Sequence, residues 1–288
     1  MRKSVALSLL LLLSPLGAVC TAQIELPQPS PAASFETVIG TTEVALEYHR
    51  PGVKGRKIWG GLVAYGEVWR LGANQATTIA FSTPVRVEGH EVPAGTYSLF
   101  AIPGPDTWTL VLNKNPKQWG AFRYKPEEDL VRFQVKAQSG PFTEWLLFTV
   151  TPTGRGQGVV EMSWENLRVP FTVEADVDQK VWAQVDAVLA GNPGWQDYLQ
   201  AATYADGSGQ RLDEALTWID KSLAGEESVP GHEIKAKLLQ RKGRLTEAIE
   251  QVDLALAQAQ DKFPRDVLWK LEQLKAGLVA ARDRPAGR

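Results

Sequence analysis

The segment Val131-Arg132-Phe133-Gln134-Val135-Lys136 alternates apolar and polar side chains without a break. Successive side chains of a strand point to opposite faces, so this period of two marks a strand with one buried face. The same period runs on through the preceding chain. Val44, Leu46 and Tyr48 alternate with Ala45, Glu47 and His49, and Trp108, Leu110 and Leu112 alternate with Thr107, Thr109, Val111 and Asn113. Further strands are expected over 77–82, 85–88, 96–102, 144–150, 159–164 and 167–174. Turns between them are supplied by Glu88-Gly89-His90, Pro93-Ala94-Gly95, Pro103-Gly104-Pro105-Asp106 and Thr153-Gly154-Arg155-Gly156. About nine short strands at this spacing predict an antiparallel β-sandwich, with a small β-barrel as the alternative closure.

From Asp176 the period becomes helical. Val177, Val181, Val185 and Val188 recur at helix spacing, and Gly191-Asn192-Pro193 ends that helix. Leu212, Ala215, Leu216, Ile219 and Leu223 are matched 33 residues later by Leu245, Ala248, Ile249, Val252 and Leu256, close to the length of a tetratricopeptide unit. The second copy has Ala236, Gly243, Ala248 and Ala255 where paired helices must approach closely. In the first copy, Gly207-Ser208-Gly209 predicts a distorted leading helix. A last helix is expected over 264–281. The fold class is α+β by segregation: a β-sandwich followed by an all-α, tetratricopeptide-like region. About three repeats are needed for such a stack to stand alone, so the helical half is expected to pack on the sandwich or on a second copy.

The ends and the composition restrict function. Arg2 and Lys3, the apolar run Val5 to Leu13, the Ser14-Pro15 break and the triplet Cys20-Thr21-Ala22 read as a secretory signal, with an apolar core too short to span a membrane. A lipoprotein anchored at Cys20 is the alternative, but Val19 stands where such signals carry Gly or Ala, which favours cleavage after Ala22. The expected division is a signal over 1–22, a Pro-rich leader over 23–33, the sandwich over 34–175, the helical region over 176–281 and a tail over 282–288. Cleavage removes the single cysteine, leaving no disulfide and no thiol nucleophile. Loss of Arg2 and Lys3 takes the formal charge from −2 to −4, so a periplasmic or extracellular protein of this charge has no global attraction for nucleic acid. His49, His90 and His232 are far apart and form no HExxH or paired ligand spacing, so no metal and no cofactor are expected.

Two clusters stand out. Between His49 and Arg70 lie five fixed positive charges, Arg50, Lys54, Arg56, Lys57 and Arg70, against one acid, Glu67, interleaved with Trp59, Tyr65, Trp69 and six glycines through Gly72. A connection of roughly thirty residues is uncommon in a compact domain unless it works or is disordered, and aromatics on this scale argue against disorder. Taken singly, its residues read as structural: arginines on carbonyls, tryptophans closing the end of the sandwich. The second cluster runs from Asn113 to Phe122, where Asn and Gln amides beside Trp119 suit a polar ligand with apolar faces, sugars above all. Its competing interpretation is a loop turned by Asn113 and Asn115 with Trp119 in the core.

The stretches YHRPGVKGRKIWGGLVAYGEVWRLGANQATTIAFSTPV (48–85), PAGTYSLFAIPG (93–104), WTLVLNKNPKQWGAF (108–122) and WENLRVPF (164–171) resemble a bacterial family, domain of unknown function 2911. The resemblance covers about Ser34 to Val173. It implies an exported protein, in some members with tetratricopeptide-like helices, and assigns no activity and no functional residues.

Three functions follow as expectations. The first is a non-catalytic envelope module that binds a polar or anionic ligand, a glycan or acidic peptide, through Arg50, Arg56, Trp59, Trp69, Arg70, Asn74 and Trp119, with a helical region for a protein partner. The absence of GxSxG, of a phosphate loop and of metal spacing favours it over catalysis. The second is a hydrolase or lyase with Glu67 as acid/base, Arg70 polarising the substrate and His49 assisting. The third is an assembly factor whose helices capture another protein.

Overall fold

A computed structural model describes residues 26–260 and 262–284. The expected signal and the first part of the expected leader lie outside the described residues, as does the end of the expected tail. Ten strands form two antiparallel sheets: β1 (Ala32–Ile39), β2 (Thr42–His49), β3 (Thr77–Phe81), β4 (Val85–Val87), β5 (His90–Val92), β6 (Gly95–Ile102), β7 (Thr107–Asn113), β8 (Asp129–Lys136), β9 (Gln138–Pro152) and β10 (Gln157–Ala175). One sheet has the order β1-β2-β3-β6-β7-β8 and the other β5-β4-β10-β9, and neither closes on itself. The architecture is a sandwich, not a barrel.

Alternation explains which face each strand buries. Phe133 and Val135 of β8 are buried while Arg132, Gln134 and Lys136 are exposed, and Val44, Leu46 and Tyr48 of β2 enter the same core. The opposite sheet contributes Met162, Trp164, Phe171 and Val173 from β10 and Leu146 and Phe148 from β9.

Three details differ from the sequence expectation. The leader is shorter than anticipated, because Ala32 already pairs with His49 and β1 continues to Ile39; an edge strand buries little, so its alternation is faint. Residues 159–164 and 167–174 belong to one strand, β10, whose register shifts at Glu165. Glu165 takes a positive φ of 53°, which lets the strand bend without ending. His90 is the first residue of β5 instead of part of the turn: Val87 pairs with His90, and Glu88 and Gly89 alone make the connection, both at positive φ.

Six helices follow: α1 (Val177–Leu189), α2 (Trp195–Ser208), α3 (Leu212–Gly225), α4 (Val229–Arg241), α5 (Leu245–Ala259) and α6 (Arg265–Arg282). The 33-residue offset is the step from α3 to α5. Fully buried Ala202, Ala205 and Ala215 let α2 and α3 approach closely, as Ala236, Ala248 and Ala255 do for α4 and α5. The expected distortion of the first leading helix does not occur. α2 runs through Gly207 to Ser208, and Gly209 ends it in the left-handed conformation, its N–H donating to the Ala205 carbonyl.

The helical stack meets the sandwich through α1. Asp176 caps the helix by accepting from the Gln179 N–H, Lys180 Nζ donates to the Thr41 carbonyl at 2.8 Å, and Arg155 pairs with Asp178 at 3.1 Å. Arg155 also lies 4.4 Å over the Tyr204 ring of α2.

Candidate functional site

The connection from β2 to β3 is ordered against the sandwich. Its backbone joins existing strands at Gly52–Trp145 and Trp69–Ala101 and pairs with the β7–β8 loop at Gln75–Trp119. Its apolar side chains turn inward. Trp59 and Trp69 are each only 9% exposed, and Ile58 and Leu71 are buried completely or nearly so. Trp59 meets Trp69, Trp108 and Trp164 edge to face, with ring centroids 5.9, 5.0 and 5.7 Å apart. Such aromatic packing is favourable beyond the area it buries.

Two arginines of this loop are spent on backbone carbonyls, one on β9 and one within the loop. Arg50 Nε donates to the Leu146 carbonyl at 3.0 Å, and Arg56 donates to the carbonyls of Val53 and Gly52. Lys54 lies 5.5 Å over the Trp145 ring. Arg70 is half-buried, has no ion pair among the described residues and is pulled below its ordinary pKa by burial. Glu67 is exposed on the loop surface. Asn74, at a positive φ of 55°, accepts from the Gly120 N–H through its carbonyl at 3.0 Å and donates from its amide to the Ser30 carbonyl.

The two sequence clusters meet on the outer face of the six-stranded sheet. Ala76 N–H donates to the Gln118 carbonyl at 2.9 Å, next to the Gln75–Trp119 bridge. Beneath the joint, Ala76, Phe100 and Val111 form a small apolar core of their own, with Val68, Ala121 and Tyr124 against it. Asn113, fully buried, fixes the second loop: its Oδ1 accepts from the Asn115 N–H at 3.1 Å and from Gln118 Nε2 at 2.9 Å, and its Nδ2 donates to Asp129 at 2.9 Å. Gln118 Nε2 also donates to the Asn115 carbonyl at 2.8 Å. Both Gln118 donors are thereby engaged, while its buried Oε1 has no partner.

Beside this joint lies a groove of about 680 Å³. Ala32, Ser34, Glu47, His49 and Thr78 belong to its strands, and Gln75, Lys117, Gln118 and Trp119 to the two loops. Trp119 is 60% exposed. The groove lies on one end of a polar row that crosses the sheet in register: Ser34 opposite Glu47, Glu47 opposite Thr78, Thr78 opposite Ser98, Ser98 opposite Asn113, and Asn113 opposite Asp129. Every strand of the sheet contributes one polar residue to this row on the face away from the core.

Of the expected ligand residues, Trp119 lines the groove and Asn74 braces the loop that carries it. Arg50, Arg56, Trp59, Trp69 and Arg70 do not line it. Of the alternative catalytic set, His49 lines the groove and Glu67 does not. Burial and then the nearby Arg70 charge hold the His49 imidazole below its ordinary value. A histidine whose folded pKa lies below that of the unfolded chain, about 6.5, costs stability as pH falls through that value, because the unfolded chain takes up the proton first. Thermal melts between neutral pH and pH 5 are therefore expected to fall more steeply in the native protein than in His49→Gln.

Ser34, Glu47, Gln75, Thr78 and Lys117 were not identified from sequence. Glu47 and Thr78 can be placed on polar faces by alternation, but which strands stand side by side is not a local property. No group of three or more His, Cys, Asp or Glu side chains suited to a metal occurs among the described residues, and no described helix is long and apolar enough to cross a membrane.

A family model described as protein of unknown function, DUF2911, matches residues 30–173. The chain belongs to this family, whose matched segment spans β1 to most of β10. No curated protein and no solved structure matches the chain.

Proposed function

We propose that the protein is a non-catalytic binding module for a glycan, held in the groove between Trp119 and the polar row. One observation carries this reading: a solvent-facing indole stands beside strand hydroxyls in one groove. A sugar ring presents an apolar face to stack on an indole and hydroxyls at its edge to donate and accept. Ser34 and Thr78 can do both, and Glu47 accepts. The N-terminal sequence supports an exported setting, in which envelope glycans are the available ligands.

Trp119→Ala is the decisive variant. The side chain is exposed, so stability should change by less than about 0.5 kcal/mol, while affinity for glycans retained on an array should fall about tenfold or more, the equivalent of about 1.4 kcal/mol. Calorimetric titration of native and variant protein measures both affinities. Binding that survives the change intact places the ligand elsewhere.

A further inference from the structure

The loop that lines one wall of the groove with Pro116, Lys117, Gln118 and Trp119 carries further cations and an aromatic outside that lining. Residues 114–125, Lys-Asn-Pro-Lys-Gln-Trp-Gly-Ala-Phe-Arg-Tyr-Lys, contain four cations and no acid. Lys125 pairs with Glu128 at 3.3 Å and Asp129 is taken by Arg132 at 2.7 Å, while the exposed Glu127, two residues past the loop, has no ion pair among the described residues. Lys114, Lys117 and Arg123 have no ion pair among the described residues, and all three are exposed. Phe122 is 85% exposed, more than any other large apolar side chain described. Its ring lies over Gly120, where an added Cβ would come within 2.8 Å of a ring carbon.

This wall is rigid. Lys114 N–H donates to the Glu128 carbonyl at 2.9 Å, Lys117 N–H to Asn115 Oδ1 at 3.2 Å, and Gly120 N–H to the Asn74 carbonyl at 3.0 Å. Cations and two aromatic faces are thus presented on a braced backbone, so little ordering is lost when a ligand arrives. We infer that the ligand of the groove is an acidic glycan chain, with its anionic groups on Lys114, Lys117 and Arg123 and successive rings against Trp119 and Phe122. This rests on the glycan reading of the groove and adds the charge and the extent of the ligand. Glu47 lies on the strand side of the groove and Lys117 on the loop side, which orients the chain: hydroxyl edge toward the sheet, anions toward the loop. On a protein of formal charge −2, Lys117 in the groove with Lys114 and Arg123 further along the same loop selects anionic partners and makes their binding sensitive to salt.

The test compares polygalacturonate with its carboxyl-reduced form, which keeps the stereochemistry and loses the charge, by affinity electrophoresis of the full chain. At low salt the acidic polymer is expected to bind about tenfold more tightly than the neutral one, and the difference should shrink as salt rises. Lys117→Glu with Arg123→Glu should remove the preference without shifting the melting temperature, whereas Trp119→Ala should weaken binding to both polymers. Equal affinity for the two polymers, or a preference that survives the charge reversal, overturns the acidic assignment and leaves the groove reading standing. Binding of neither polymer, or binding unaffected by Trp119→Ala, overturns both.

Discussion

Replacing Trp59 by alanine is expected to lower the unfolding free energy of the sandwich by about 3–5 kcal/mol, the range for deleting a buried aromatic side chain. Trp59 belongs to a connecting loop, and exposed loop residues seldom cost more than about 0.5 kcal/mol, so the size of the effect separates two roles for this residue. The larger figure follows from what the indole touches. It stands between Trp69, Trp108 and Trp164, and Trp108 and Trp164 are the largest of the fully buried side chains, exposed by 0% and 1%. Truncation leaves a cavity walled by three rigid rings that cannot collapse into it, the situation in which the cavity penalty is highest. Denaturant unfolding followed by circular dichroism measures the change. A loss under about 1 kcal/mol would show that the loop is an appendage to the core, a result the burial of Trp59 does not allow.

The same residue shows where sequence reading stops. Trp59 and Trp69, surrounded by glycine and arginine, have the composition of a ligand platform and equally that of a plug. Loops have no periodicity to say which side chains turn inward, so composition alone cannot separate the two. Here the glycines let the loop fold tightly, Arg50 and Arg56 bind backbone carbonyls of β9 and of the loop, and the tryptophans enter the core. In the strands the inward side is a local property, so Phe133 and Val135 were legible from six residues. In the helices the 33-residue offset exposed the repeat, because each hairpin has to bury the same face against the next.

The groove required information of a third kind. Ser34, Glu47 and Thr78 are far apart in the chain and become neighbours only through the register of β1, β2 and β3. The strand β1 is itself faint in sequence, since it follows a Pro-rich segment and only Ile39 at its end is fully buried. Trp119 was visible as a candidate, but its exposure depends on Asn113 and Gln118 fixing the loop beneath it. Neither the local pattern nor the composition encodes those long-range pairings in a form that can be read off directly.

Gly40→Ala should cost about 2–4 kcal/mol and act on the junction between the sandwich and the helices. Gly40 occupies the β1–β2 turn at a φ of +62°, a conformation that is strained for any residue with a Cβ. The added methyl group would also lie 2.3 Å from Val177 Cγ2, 3.0 Å from the Arg155 carbonyl oxygen and 3.2 Å from Gly156 Cα. Two of these neighbours are backbone, and Val177 is β-branched with little freedom at χ1. The overlap therefore cannot be relieved by a side-chain rotation. Relief requires α1 to move away from the sandwich, which breaks the Lys180 bond to the Thr41 carbonyl and the Arg155–Asp178 pair. Limited proteolysis near Asp176 should accelerate in the variant. A double-mutant cycle with Val177→Ala isolates the steric part: removing the valine methyl groups should restore roughly half of the lost stability, leaving the backbone strain of the turn. If the two substitutions are simply additive, α1 does not press on this turn, and the docking of the helical stack must depend on the polar contacts of Lys180 and Arg155 alone.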